Sequence, residues 1–208
     1  MRFFRRAQGT PKSLAILSAA FNPPTRAHMA LARAGLKIAD ELLLVLPLVF
    51  PHSKDYQGVT LEDRVTMLEA VLGNEPRASI AATEGGLFIE IARECRTAYG
   101  ENTRLLFLCG RDAAERVVNW DYGEVGTFAE MLREFELFVA PRKGHYQPPS
   151  ELSQRIHPLA LDSNYDDVSG TEIRRRIATG EPWEHLVPEE IAPLVRRLYG
   201  GTTEQVLE

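Results

Sequence analysis

Cysteine is scarce in this chain, with two in 208 residues, and Cys95 and Cys109 stand too far apart for the short spacing of a metal-binding or dithiol redox motif. No run is apolar for long enough to cross a membrane, and nothing resembles a secretory leader. An excess of basic charge is missing as well: 24 Lys and Arg stand against 29 Asp and Glu, for a formal net charge of −5. That balance argues against a broad nucleic-acid surface, which needs a Lys/Arg excess to neutralise many phosphates, and it leaves room for a local anion site. Internal repeats and low-complexity tracts are also absent, so repeat arrays are set aside. The absences together lead to the expectation of a cytoplasmic protein with neither nucleic acid nor membrane as a partner; a homo-oligomer stays open.

What the chain does have is 44% hydrophobic and 25% charged residues, enough apolar surface for a good core. "MRFFRR" and the residues after it, 1–12, read as a frayed lead-in, and 13–201 as a single domain that includes the C-terminal helices. Short β-rich runs alternate with helical patterns. The runs at 13–19, 41–47, 78–82, 104–110 and 134–141 predict buried strands, and 155–162 a weaker, Pro-interrupted edge strand. Helical spacing covers 25–40, the stretch after a Thr60/Asp63 capping box, 87–100, 170–180 and 188–201. Such alternation predicts an α/β fold, a Rossmann-like doubly wound, mostly parallel sheet with helices on both faces. Ligands of these sheets bind at the carboxyl ends of the strands, where strand order reverses.

Two stretches lie where such a ligand would sit. In "SAAFNPPTRAH" (18–28), Pro23 and Pro24 cannot continue a strand and Thr25 is a good helix N-cap. The helix that follows points free amides and a positive dipole end beyond the sheet, with His28 about one turn in, an arrangement suited to phosphate. A capped helix after a strand is also common, and a lone His is usually a satisfied polar residue. "VSGTEIRRRI" (168–177) repeats the pattern: Ser169 and Glu172 have capping-box spacing, and Arg174 lies one turn inside. Arg175 and Arg176 are explained as a solvated basic face; the pairing of two helix starts is not. From opposite sides, His28 and the set Ser169, Thr171 and Arg174 would converge on one polyphosphate.

These residues carry a resemblance. "FNPPTRAH" resembles the (H/T)xGH signature of the nucleotidylyltransferase superfamily, and "VSGTEIR" its ISSTxIR signature. Within it the chain is most similar, over about 13–199, to bacterial nicotinate (nicotinamide) mononucleotide adenylyltransferases, with "FPHSK", "EDRVTML", "FLCGRDAAERVVNW" and "VAPRKGH" resembling their intervening motifs. The resemblance implies transfer of AMP from ATP to a pyridine mononucleotide with release of pyrophosphate, in NAD biosynthesis, without a covalent enzyme intermediate. It implies Mg²⁺ bound mainly through the substrate phosphates rather than a carboxylate cage. Phe21, Asn22, Thr25, His28, Gly110, Asp112, Ser169, Gly170, Thr171 and Arg174 would then bind ATP and its phosphates, with His28, Thr25 and Arg174 catalytic. Lys54, Gly85, Gly86, Trp120 and Arg142 would bind the acceptor. Bland readings stand beside these: Asp112 as a helix N-cap, Trp120 as core, Lys54 as a solvated loop residue, Arg64 and Arg142 in structural ion pairs.

The pattern departs from the family in three places. Ala27 stands where the signature has Gly, Gly170 replaces a Ser, and "TEGGLFIEIA" (83–92) replaces the segment whose backbone holds the pyridine carboxylate. Two alternatives follow: an adenylyl- or cytidylyltransferase for another phosphorylated acceptor such as phosphopantetheine, and a catalytically weak nucleotide-binding sensor.

Overall fold

The computed structural model describes residues 1–49, 58–123, 127–141 and 144–200. Among them seven strands form one sheet: β1 (Arg2–Arg5), β2 (Ser13–Ser18), β3 (Glu41–Pro47), β4 (Ala78–Thr83), β5 (Arg104–Gly110), β6 (Glu136–Ala140) and β7 (Ile156–Pro158). Their spatial order is β1-β4-β3-β2-β5-β6-β7, parallel throughout except for β1, which runs antiparallel to β4. The α/β, Rossmann-like, mostly parallel sheet is therefore as the sequence predicts. The helices are α1 (Arg26–Ile38), α2 (Leu61–Leu72), α3 (Phe88–Tyr99), α4 (Arg111–Val118), α5 (Phe128–Met131), α6 (Gly170–Thr179) and α7 (Ala192–Gly200).

The apolar runs explain the layering. Every residue of β3 and β4 is buried, as expected for strands covered on both faces. On one face Ile16, Leu43 and Phe107 pack with Ile91, Cys95 and Ala114 of α3 and α4. On the other, Leu17, Leu44 and Leu106 pack with Leu31 and Ala34 of α1 and Leu68 of α2. Helices α6 and α7 form a third cluster against Met67 of α2, built on Ile173, Ile191 and Val195. Cys95 and Cys109 are free and buried; burial pushes both thiols up to about 12.

Four expectations need correction. The lead-in is not frayed: Phe3 pairs with Ala81 across the β1–β4 ladder, and Arg6 lies over the rings of Phe3 and Tyr99. The 155–162 strand shrinks to Ile156–Pro158 at the sheet edge, because Pro158 removes a ladder donor. The last helix starts later, as a 3₁₀ turn at Glu189–Ile191 followed by α7. At α6, Ser169 caps as expected, accepting from Glu172 N–H at 3.1 Å. The reciprocal half of that box is missing among the described hydrogen bonds, because the Glu172 carboxylate turns to Arg175 and Arg176. The Thr60/Asp63 box at α2 forms in both directions.

Candidate functional site

From β2 the chain runs outward through α1, β3, α2 and β4, then α3 carries it back to β5 on the other side of β2. Strand order thus reverses between β2 and β5, which pair in parallel with Ile16 opposite Phe107. Their carboxyl ends lead into the corner before α1 and directly into α4, the crevice where this architecture binds ligands. A separate cavity of about 400 Å³, lined by Lys12, Asp40, Glu41 and Arg77 among others, lies at the other end of the sheet, where β3 begins, and has no part in this crevice.

The corner is fixed from several sides. Phe21 has a left-handed φ of 48°, a region that a phenylalanine seldom adopts. Its neighbours hold it there: Arg64 Nη1 donates to Ala20 O at 3.1 Å, and Arg174 Nη1 donates to Asn22 O at 2.5 Å. The Phe21 ring is buried and meets His28 edge-on, with ring centroids 5.0 Å apart. Asn22 is 6% exposed, and its Oδ1 accepts from the Tyr199 hydroxyl at 2.5 Å. Arg64 thus proves to be a brace for the corner.

Thr25 caps α1 as expected, in a box whose second member is His28. His28 N–H donates to Thr25 Oγ1 at 3.2 Å, and Thr25 N–H donates to His28 Nδ1 at 3.0 Å. An Nδ1 that accepts from a backbone N–H carries a lone pair, so the neutral ring holds its proton on Nε2. His28 is therefore a hydrogen-bond donor at Nε2 on the first turn of α1. Thr25 is 1% exposed, and its hydroxyl is engaged by His28, so that it orients the imidazole.

The two helix starts singled out in the sequence do come together. Gly170, the first residue of α6, lies so close to the corner that a Cβ would stand 2.8 Å from Asn22 O. Only a residue without a side chain fits there, which accounts for glycine where the signature has serine. Arg174 spans the same gap, reaching Thr171 Oγ1 at 3.4 Å as well as Asn22 O. Sequence reasoning placed Gly170 and Arg174 at the phosphates and missed their contacts with Asn22; no local pattern encodes a neighbour such as that of Arg174, 152 residues away.

On the other side of the crevice Gly110 is the N-cap of α4, and a Cβ added to it would meet nothing within 4 Å. Asp112 is exposed in the first turn of α4, so capping by Asp112 is ruled out by position. Trp120 is 41% exposed, which removes the reading of it as core. Lys54 and Arg142 lie outside the described residues. Gly85 and Gly86 follow the carboxyl end of β4, and two amides there are occupied: Gly86 N–H and Leu87 N–H both donate to Glu90 Oε2 at 2.9 Å. Gly85 makes room for that carboxylate, since a Cβ there would lie 2.6 Å from Glu90 Oε2.

A sequence profile of the cytidylyltransferase-like family matches residues 16–176. The chain belongs to this family. Its match starts in β2 and ends in α6, enclosing both helix starts. Among relatives, a probable nicotinate-nucleotide adenylyltransferase of Solibacter usitatus is 30% identical over 189 residues, covering 86% of this chain and 94% of that protein. One of Moorella thermoacetica is 26% identical over 202 residues, covering 89% and 90%. Among solved structures, the Plasmodium falciparum nicotinic acid mononucleotide adenylyltransferase complexed with NaAD shares 15% identity, with a TM-score of 0.68 over 90% of this chain and 97% of that one. That likeness is one of fold, over nine-tenths of this chain.

Among the described residues no three His, Cys, Asp or Glu side chains gather where they would hold a metal ion, and no helix is long and apolar enough to cross a membrane.

Proposed function

We propose that the chain transfers AMP from ATP to a pyridine mononucleotide, as a nicotinate-nucleotide adenylyltransferase, with release of pyrophosphate. The observation that carries this reading is the meeting of two helix N-termini at Asn22, one bearing a donor imidazole and the other a guanidinium, beside the switch point of the sheet. Free amides, Nε2–H and Arg174 are all donors, and a triphosphate is all acceptor.

In the reaction a 5′-phosphate oxygen of the acceptor attacks the α-phosphorus of ATP. The bond from that phosphorus to the bridging oxygen breaks, and pyrophosphate leaves with the electron pair. No residue of the chain becomes covalently attached. The chain's contribution is alignment and stabilisation of charge on the phosphates. His28 Nε2–H donates to the α-phosphate or to the departing pyrophosphate, and the Gly170 and Thr171 amides with Ser169 and Arg174 hold the β and γ phosphates. Gly110 leaves open space for the nucleotide, and Asp112 accepts from a ribose hydroxyl. Phe21 and Asn22 act through the backbone they fix, since their side chains are buried. ATP enters as its Mg²⁺ complex, an ion that binds through substrate phosphates and keeps several waters.

Trp120 offers its exposed ring for stacking on the acceptor, with Lys54 and Arg142 as further acceptor contacts. Glu90 bears on which acceptor is used. If the Gly85–Gly86 stretch faces the pyridine ring, a carboxylate already lies on the amides there, which favours a nicotinamide ring over a nicotinate one. The test is pyrophosphate release by the wild type with ATP or CTP against nicotinate mononucleotide, nicotinamide mononucleotide and phosphopantetheine. Turnover with ATP and a pyridine mononucleotide is expected. Turnover only with CTP or phosphopantetheine would replace this reading with a sister activity, and ATP binding without turnover would replace it with a sensor.

A further inference from the structure

Among the described hydrogen bonds, Asn22 ties the corner between β2 and α1 to helices α6 and α7, and Arg26 at the start of α1 adds a bond to His185 O at 3.3 Å, between those two helices. Asn22 presents its main-chain oxygen to Arg174 of α6 and its side-chain oxygen to Tyr199 of α7, each at 2.5 Å. On its other flank Gly58 packs so closely that a Cβ there would stand 2.3 Å from Asn22 Nδ2. Helices α6 and α7 share an apolar cluster with α2, against which Tyr199 also packs, so one core holds the two helices together. The position of that pair against α1 sets the separation of Arg174 from His28.

Of the two bonds on Asn22, the one from Arg174 has a second duty. A guanidinium that turns to a phosphate gives up some or all of its hold on a carbonyl, because the charge-assisted bond to an anion is the stronger. Tyr199 carries no charge, and its hydroxyl is half-buried between α7 and the corner; it has no phosphate to follow. When Arg174 engages the nucleotide, the Tyr199–Asn22 bond stays in place and helps keep the two helix starts in register.

We propose that Tyr199 is a positioning residue for triphosphate binding, acting through Asn22 across the 177 residues that separate them in sequence. The proposal rests on the adenylyltransferase reading for the identity of the ligand. Tyr199→Phe keeps the ring in the helix cluster and removes one hydroxyl. It should weaken binding of Mg²⁺-ATP, measured by calorimetric titration, by about 3- to 10-fold, the scale of one net hydrogen bond. In an Asn22→Ala background the same change should be silent, whereas a role confined to packing of α7 would give an equal loss in both backgrounds. Wild-type affinity in Tyr199→Phe, or an equal loss with and without Asn22, would overturn the proposal. ATP binding by a wild type that releases no pyrophosphate with any acceptor would refute the adenylyltransferase reading and leave the titration of Tyr199→Phe as readable as before. A wild type that binds no triphosphate would overturn both.

Discussion

At His28 the capping of a helix and the tautomer of an imidazole are set by the same hydrogen bonds. Thr25 N–H at 3.0 Å from Nδ1 satisfies an orphan amide ahead of α1 and at the same time leaves the proton on Nε2. A side chain fixed in this way needs no reorganisation as charge develops on a phosphate, the condition under which one donor matters most. His28→Ala should therefore lower kcat for adenylyl transfer by about 10²–10³, with ATP affinity largely kept, as steady-state kinetics beside calorimetric titration would show. Thr25→Ala should lower kcat less, since the backbone N–H of residue 25 still meets Nδ1. A His28→Ala enzyme with wild-type kcat would remove His28 from the reaction. Ala27, one residue earlier and half-buried, adds its methyl to the same turn, and nothing in the structure explains the departure from glycine.

Among the elements, α3 shows how a helix start can be given to the protein instead of to a ligand. The two amides just ahead of it, Gly86 N–H and Leu87 N–H, meet the carboxylate of Glu90, the third residue of the helix; Leu87 has no side-chain acceptor, so only this half of a capping box forms. Glu90→Gln keeps an acceptor for those amides while removing the charge. If this stretch faces the acceptor ring, kcat/KM for nicotinate mononucleotide relative to nicotinamide mononucleotide should rise about two- to fivefold, the scale of an exposed charge pair; competition kinetics with the two acceptors measure it. An unchanged ratio would place the ring elsewhere. This use of Glu90 was not legible in "TEGGLFIEIA", where the two glycines read as acceptor-binding residues. Thr25, Thr60 and Ser169 were legible as caps because a cap and its helix are neighbours in sequence. β1 was not, because four residues become a strand only through partners such as Ala81. Asp112 was misplaced by two residues for a related reason: Gly110 has no capping side chain to announce the helix that it begins.

Over the whole molecule the reversal of strand order was implied by the alternation of strands and helices, and the crevice followed from it. The convergence at Asn22 was foreseen as chemistry and not as contact, since it depends on Gly170 having no side chain and on Tyr199 arriving from α7. Global stability should also carry a mark of the surface around α6. Arg175 and Arg176 hold the Glu172 carboxylate down to about 2, against an ordinary value of 4.5, and Arg175 with Thr179 does the same for Glu181. A folded-state value below the unfolded one gives stability that is present above pH 4.5 and lost as pH falls toward 2. The melting temperature should accordingly fall between pH 4.5 and 2 more steeply in the wild type than in Glu172→Gln, with the two converging at the acid end; added salt should shrink the difference, because the pairs are exposed. Parallel melts across that range that never converge would show that the network adds nothing. The two buried thiols have a consequence of another kind. With both pushed up to about 12, almost no thiolate exists at neutral pH, and an alkylating reagent reaches either sulfur only while the structure around it is open. Cys109 directly precedes Gly110, whereas Cys95 lies within α3, so the chain carries two clocks on one core layer: the rate at which each is trapped times the opening of its own region, and a nucleotide seated over Gly110 would slow the first.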